Sequence, residues 1–519
     1  MGPVRRRLFG PLVAVACTVG MLGGASAAGA APILVLGRGG HVVVREDPFL
    51  PPVALTPAPS RAPEATDGTR AGTRAVAHPS AGALHATASK AKRKRKPVPQ
   101  VTIGSTLAKM YNRGKIDRSQ YRSYSASANA AIRTAARLKG TRAVELYSVL
   151  TNLHDIAVAG EMTPSRLPAL FLTLNENREW WSTGPLLADA QRVSFAGSQL
   201  VWEYYPGQGI ELQVLGSFGE ADGLYTGGPA DYPQLMQLMS ELIPLAVNRA
   251  GGLAWEYYFH FDGGRPPWVS AMAQGTALEA LTRAYEASQN PTYLTTAAQA
   301  LPLFSTAPPA GVRVGTALGA RYLQYSFAPG VSIINAFLQS LIGLYDYAQA
   351  SGSAVAQTLF NAGNAEALAE VPHFNTGAWS LYQPGEEDPL SYHQLVTGFL
   401  QELCSRTGAS VYCTTAQDFQ QDLTTPPVLT LTTHHSRVGI RTYVHFTLSK
   451  ESHVGIVVSF DGATTFLTSA EFGYGSHAFD IATPRKAGAY TVRMSATDLA
   501  GNFSRITGTL NVARAAKRR

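Results

Sequence analysis

The sequence predicts a multidomain chain. Its core is mainly α, an (α/α) barrel or toroid with some β structure in its N-terminal part. A C-terminal all-β immunoglobulin-like sandwich follows. Three observations carry this. Apolar stripes at helical spacing recur in successive pairs over residues 101–422. A β-rich stretch, Val193 to Leu215, interrupts them. From about Thr425 the apolar period changes from 3.6 to 2, which places residues 425–513 in strands.

The helical elements follow in order. Leu107, Met110 and Tyr111 open the first stripe, and Ala130–Leu138 and Val144–Ala157 continue it. Thr163-Pro164 suits the cap and first turn of a helix carrying Leu167, Leu170, Phe171 and Leu174. Val193–Leu215 is broken by Pro206-Gly207 and Gly209, so strands or a structured loop are expected there. Leu235, Leu238, Met239 and Leu242 share a helix face, with Gly251-Gly252 as its stop. Met272–Ala287, Tyr293–Leu303, Ile334–Ala348, Val355–Glu370 and Tyr392–Arg406 complete the helical set. Loops of such helix pairs gather at one end, the usual place for a site. In the C-terminal part, Tyr443–Lys450, Val454–Phe460, Phe472–Ile481 and Tyr490–Ala496 alternate as strands of a sandwich. Asp461-Gly462 suits a hairpin turn, and the carboxylates of a calcium loop are missing around it.

The ends of the chain carry its charge. The formal net charge is +8, yet thirteen cations lie in Arg5–Arg7, in Lys90 and Lys92–Lys96, and in Arg514 and Lys517–Arg519. What remains is mildly acidic, and no basic face with interleaved aromatics occurs in it, so nucleic-acid binding is not expected. Arg5–Arg7, the apolar run Leu8–Leu22 and small residues through Ala31 read as a signal peptide over residues 1–31. No integral membrane segment is expected after its cleavage, and the protein is expected to be secreted or associated with the cell envelope. Residues 32–50 hold a short β segment, Ile33–Val44, suited to a hairpin packed on a later domain. Residues 51–100, rich in Pro and Ala and ending in the basic run, read as a disordered linker. Cys17 leaves with the signal, and Cys404 and Cys413 remain as a local disulfide pair.

No GxSxG elbow, P-loop, HExxH, CxxC or strand-linked GxGxxG is present. What remains is an aromatic-rich helical scaffold with scattered Glu, Tyr and His. Tyrosine offers a sugar ring a flat apolar face and a hydroxyl, so a carbohydrate site suits this surface.

Two segments carry a specific resemblance. Pro266–Gly275 (PPWVSAMAQG) runs into Thr276–Ser288, and Arg321–Asp346 (RYLQYSFAPGVSIINAFLQSLIGLYD) runs from loop to helix. With Asn375-Thr376-Gly377, Tyr382 and Ser391-Tyr392-His393, they resemble the D-glucuronyl C5-epimerase family over Trp255–Leu403. Tyr204-Tyr205-Pro206 resembles a further family segment more weakly.

The resemblance implies inversion of C5 in uronate residues, glucuronate to iduronate, within a heparosan-like extracellular polysaccharide. It implies an isomerase without cofactor or metal, with substrate between a β-containing part and the (α/α) barrel. Its catalytic tyrosines carry over to Tyr325, Tyr382 and Tyr392. Tyr205, Trp268, Gln274, Arg321, Gln324 and His393 are candidate substrate-binding residues. Leu323 and Gln324 stand where the family motif has two acidic residues, and Arg321 where it has tryptophan. Glu386, Glu387 and Asp388 are candidates to supply the missing carboxylate.

Removing a proton α to a carboxylate and returning one from the other face needs two groups flanking the carbon. Tyrosine, with a reference pKa of about 10, needs nearby positive charge to serve as a base, and Arg321 is the candidate for it. A uronate polysaccharide lyase shares the first proton abstraction and is one alternative. A non-catalytic envelope glycan-binding protein is the other. An acidic polysaccharide is the expected partner, and a homodimer is one expected assembly.

Overall fold

Thr102 and Asp117 each begin a helix by satisfying the free backbone N–H groups of its first turn. Both form capping boxes, Thr102 with Ser105 and Asp117 with Gln120. The computed structural model describes residues 32–37, 39–45 and 101–515. The expected signal peptide and basic linker lie outside the described residues.

The N-terminal strands β1 (Ile33–Leu36) and β2 (Val42–Arg45) form an antiparallel hairpin. Four helices follow: α1 (Ile103–Asn112), α2 (Arg118–Ala135), α3 (Thr141–Val158) and α4 (Leu167–Thr183). Residues 163–166 are therefore a turn ahead of α4, whose first turn holds Pro168.

Next come β3 (Arg192–Phe195), β4 (Trp202–Tyr205) and β5 (Gly209–Leu212). β1 pairs with β3 in parallel, giving one five-stranded sheet in the order β2-β1-β3-β4-β5. The early hairpin thus completes a sheet with chain more than 150 residues downstream. The β-rich stretch is only partly strand, because its end runs into helix α5 (Val214–Gly227). Gly216, Ser217 and Glu220 of α5 are buried alongside its apolar residues, so no amphipathic stripe marks it.

Helix α6 (Tyr232–Leu242) ends before Pro244, not at Gly251-Gly252. Ala250 and Gly251, both at positive φ, instead turn a hairpin between β6 (Val247–Arg249) and β7 (Gly252–Ala254). The chain continues through α7 (Ala271–Ser288), α8 (Thr292–Ala300) and the short α9 (Pro302–Ser305). Pro302 begins α9, so Tyr293–Leu303 is not one helix. The hairpin β8 (Arg313–Gly315) and β9 (Ala320–Tyr322) leads into α10 (Ile334–Ser351) and α11 (Ala354–Glu370). The two-stranded β10 (Leu381–Gln383) and β11 (Glu386–Glu387) precede α12 (Leu390–Thr407) and α13 (Ser410–Asp422). Cys404 and Cys413 form a disulfide joining α12 to α13.

Helices α7 and α10 pack through glycine. A Cβ on Gly343 would fall 1.9 Å from the carbonyl oxygen of Gly275, and one on Gly275 would fall 2.6 Å from Ser340 Cα. Backbone cannot yield as a side chain can, so the helices would have to separate. Gly343→Ala is expected to cost about 1–3 kcal/mol by overpacking, read as a lower denaturant midpoint with unchanged m.

After α13 the chain builds a two-sheet β-sandwich with its own core, formed by Val444, Phe446, Ile456, Val492, Leu510 and neighbours. Its strands are β12 (Leu429–Leu431), β13 (His435–Arg437), β14 (Thr442–Leu448), β15 (Ser452–Phe460), β16 (Ala463–Phe472), β17 (Gly475–Ile481), β18 (Gly488–Asp498) and β19 (Phe503–Ala513). One sheet runs β12-β14-β17 and the other β13-β19-β18-β15-β16. Asp461 and Gly462, both at positive φ, make the two-residue turn between β15 and β16. Lys450 ties the sandwich to the helical part: its ammonium pairs with Asp498 at 2.8 Å and donates to the Asp422 and Thr425 carbonyls. It also lies over the Trp379 ring, 5.1 Å from its centroid. Among the described residues, no helix is long and apolar enough to cross a membrane, and no metal-ligand cluster occurs.

Candidate active site

Strand alternation on β4 sorts three side chains to two faces. Tyr204 turns to one face, where its hydroxyl donates to Glu145 and its ring meets Trp181. Glu203 and Tyr205 share the other. Tyr205 stacks on Phe259, with centroids 4.6 Å apart. It lines a small cavity with Gln213, Tyr257, Trp268, Gln324 and Tyr325. At about 20 Å³, the cavity in this conformation has room for about one water.

The walls come from distant parts of the chain. Tyr257 and Trp268 face each other across a β-bridge with rings stacked at 4.2 Å. Ser270 caps α7 by accepting from the Ala273 N–H, and it donates to Gln324 Oε1 at 3.3 Å. Tyr325 follows β9, stacked on Phe327 at 5.2 Å and edge-on to Trp268 at 5.8 Å. Its hydroxyl has the Tyr382 hydroxyl and Gln324 as hydrogen-bonding neighbours. Tyr382, from β10, meets Tyr392, in the first turn of α12, edge to face at 5.5 Å. Thus Tyr325, Tyr382 and Tyr392 converge from three segments, and Tyr205, Trp268 and Gln324 join Tyr325 around the cavity.

Burial governs the electrostatics. It pushes the hydroxyls of Tyr205, Tyr325, Tyr382 and Tyr392 well above the usual tyrosine range. The cation near this cluster is Arg192, whose charge opposes the upward shift of Tyr392. Arg192 stands directly opposite Glu203 in the β3–β4 register, with Nε 3.8 Å from Glu203 Oε2.

Three expected substrate residues lie elsewhere. Arg321 pairs with Glu370 and lies over the Phe337 ring, because on β9 it alternates away from Tyr322 toward α10 and α11. The Gln274 amide is fully buried and bridges the Trp255 N–H and carbonyl, at 3.1 and 2.9 Å. His393 is fully buried, stacked on Trp379 at 3.8 Å, with Nε2 donating to the Phe419 carbonyl and Nδ1 accepting from the Ser380 N–H. Burial lowers its pKa to about 4, so it is a neutral structural group.

Of the acidic loop, Asp388 is the carboxylate that acts on the tyrosine cluster: its charge helps raise Tyr382 and Tyr392, and its Oδ1 makes no hydrogen bond. Glu386 accepts from Gln383. Glu387 accepts from the Tyr474 and Glu451 N–H groups of the sandwich. Asp388 is buried, accepts from Ser380 Oγ at 2.6 Å, and is pushed by burial up to about 7. A carboxyl raised in the folded state favours folding most below its unfolded pKa of about 4. That contribution is lost as pH rises through about 7. Asp388→Asn is therefore expected to flatten the fall of Tm between pH 4 and 8, measured by thermal melts across that range.

Sequence reasoning missed Arg192, Glu203, Gln213, Tyr257 and Ser270. The alternation of Glu203 with Tyr205 inside an aromatic strand is the signal that could have found the first two.

Residues 250–421 match the family model for the D-glucuronyl C5-epimerase C-terminus. This part of the chain is similar to that family, over about a third of the whole chain. The C5-epimerase match holds Tyr257, Trp268, Tyr325, Tyr382 and Tyr392, whereas Arg192, Glu203 and Tyr205 lie upstream of it. A D-glucuronyl C5-epimerase of Caenorhabditis elegans is 36% identical over 130 residues, which is 22% of this chain. The match spans 21% of that relative's length. Two solved structures overlap more loosely. A GH76 α-mannanase of Bacteroides thetaiotaomicron is 11% identical, with a TM-score of 0.29, over 40% of this chain and 59% of its own. A sugar epimerase from a ruminal bacterium is 14% identical, with a TM-score of 0.30, over 40% of this chain and 58% of its own.

Proposed function

We propose that the protein inverts C5 of glucuronate residues in an acidic, heparosan-like polysaccharide outside the cytoplasm. The observation that carries this reading is the convergence of Tyr325, Tyr382 and Tyr392 beside an aromatic cavity, inside the segment matched to the C5-epimerase family. Epimerisation breaks and re-forms one C–H bond. It needs an acid/base group on each face and a partner for the carboxylate that carries the developing charge. The Tyr325–Tyr382 hydroxyl pair supplies one acid/base side. Arg192 is the cation suited to the carboxylate, and Gln324 and Ser270 suit sugar hydroxyls. The reaction moves protons without redox change, so the reading calls for no cofactor.

The charged, then apolar, then small-residue start of the chain supports export, as does the Cys404–Cys413 disulfide. We take the C-terminal sandwich as an immunoglobulin-like accessory module. The test is incubation of the full-chain protein with heparosan in heavy water. Deuterium at C5 of an intact polymer supports the reading. Unsaturated chain ends replace it with a lyase, and binding without either product replaces it with a glycan-binding protein.

A further inference from the structure

The direction of each proton can be followed along a buried chain behind the cavity. The Leu215 backbone N–H, which can only donate, donates to the Tyr257 hydroxyl oxygen at 3.1 Å. Tyr257 therefore passes its own proton toward Gln213 Oε1, 3.2 Å away. That orients the Gln213 amide, whose Nε2 donates to the Tyr205 oxygen at 2.7 Å. The Tyr205 hydroxyl thus accepts from Gln213, and its own proton must point elsewhere. Glu203 lies two residues before Tyr205 on the same strand face, fully buried, with Tyr205 and Arg192 as its polar neighbours. Neither Glu203 oxygen accepts a hydrogen bond in this conformation; Arg192 Nε lies 3.8 Å from Oε2, and the carboxylate keeps capacity to accept from Tyr205.

We infer that Tyr205 is the second acid/base group of the site, on the cavity wall across from Tyr325, and that Glu203 is the buried acceptor of the Tyr205 hydroxyl proton. This rests on the C5-epimerase reading and supplies the carboxylate absent at Leu323 and Gln324. The step balances as follows. The Tyr205 proton moves to the Glu203 carboxylate, and the resulting phenolate takes the C5 proton. The C–H electron pair is held as the enolate of the substrate carboxylate. The Tyr325 hydroxyl then gives its proton to the opposite face and C5–H re-forms. Glu203 ends protonated and Tyr325 ends as phenolate, and exchange with solvent returns that one proton. Burial raises the proton affinity of Glu203, which suits a carboxylate that must hold a proton in passing. The Gln213 amide stabilises the phenolate by the bond it already makes.

The test compares Tyr205→Phe, Glu203→Gln and the double variant of the full-chain protein, following C5 deuterium incorporation into heparosan. Tyr205→Phe keeps the ring stacked on Phe259 and removes only the hydroxyl. Each single variant is expected to lose about 10²–10⁴-fold in kcat with KM within about threefold, and the double variant to be no slower than the worse single one. The acid limb of the wild-type pH–rate profile should vanish in Glu203→Gln, and Glu203→Asp should restore part of the rate. Glu203→Asp also stands in if the glutamine variant does not fold, a loss of activity below the Tyr205→Phe level then counting against the relay. Tyr205→Phe turning over within about threefold of wild type overturns the inference and leaves the epimerase reading intact, as do losses that multiply in the double variant. A wild type that incorporates no deuterium removes both.

Discussion

Tyr325→Phe is expected to slow C5 deuterium incorporation by about 10²–10⁴-fold, the usual contribution of one positioned acid/base group. The ring remains, so the stack on Phe327 and the edge contact with Trp268 persist. What goes is the hydroxyl that meets Tyr382 and Gln324. The stability cost is the unpaired partner left behind, at most about 1–3 kcal/mol. Rate and melting temperature therefore separate the two roles. A purely structural Tyr325 would lower Tm with little change in the initial rate of exchange at saturating polymer, and that result would remove it from the chemistry.

Glu256→Ala is expected to be the most destabilising single change in the helical part, by about 3–5 kcal/mol. Glu256 is buried between two guanidiniums. Arg166 forks onto both its oxygens at 2.6 and 2.8 Å, and Arg249 reaches Oε1 at 2.6 Å. Arg166 stands at the entry to α4 and Arg249 in the β6–β7 hairpin, so one carboxylate joins the first four helices to the chain that follows β6. Removing it leaves Arg249 with backbone carbonyls alone and Arg166 with Glu161 alone, and the penalty is mostly the desolvation of two under-compensated guanidiniums. Denaturant unfolding should show the lower midpoint, and Glu256→Ala with near wild-type stability would mean that Glu161 compensates Arg166 and water reaches Arg249.

Helices α7, α10, α11 and α12 were legible because each keeps an apolar stripe or a capping residue, whereas α13, without a capping side chain, was not expected. Met272–Ala287 and Ile334–Ala348 coincide closely with α7 and α10. Helix α5 was not, since Gly216, Ser217 and Glu220 are buried and erase the stripe. The strands β16 and β19 were missed for a related reason. Each carries mostly small or polar residues, and their outer faces are exposed, so alternation is weak. Gly251 read as a helix stop because positive φ serves caps and hairpin turns equally, and local sequence does not choose between them.

The site divides in the same way. Tyr325, Tyr382 and Tyr392 were singled out from the segments around them, and Trp268, Gln324 and Tyr205 by proximity to such segments; the fold places them near one another. Arg321, Gln274 and His393 sit in the same segments and looked equally suitable. Their side-chain directions decide against them: one alternates toward Glu370, and the other two spend their polar atoms on backbone.

By itself the sequence determined the helices that keep an apolar stripe, the change to a β-rich C-terminal part, and the similarity of residues 250–421 to the C5-epimerase family, because periodicity, caps and local motifs act over a few residues. Only the tertiary structure decided which polar groups meet. β3–β4 pairing sets Arg192 opposite Glu203, and the hydrogen bonds from Leu215 through Tyr257 and Gln213 make the Tyr205 oxygen an acceptor. Such partners are brought together by burial and strand register across tens of residues, which no local pattern encodes.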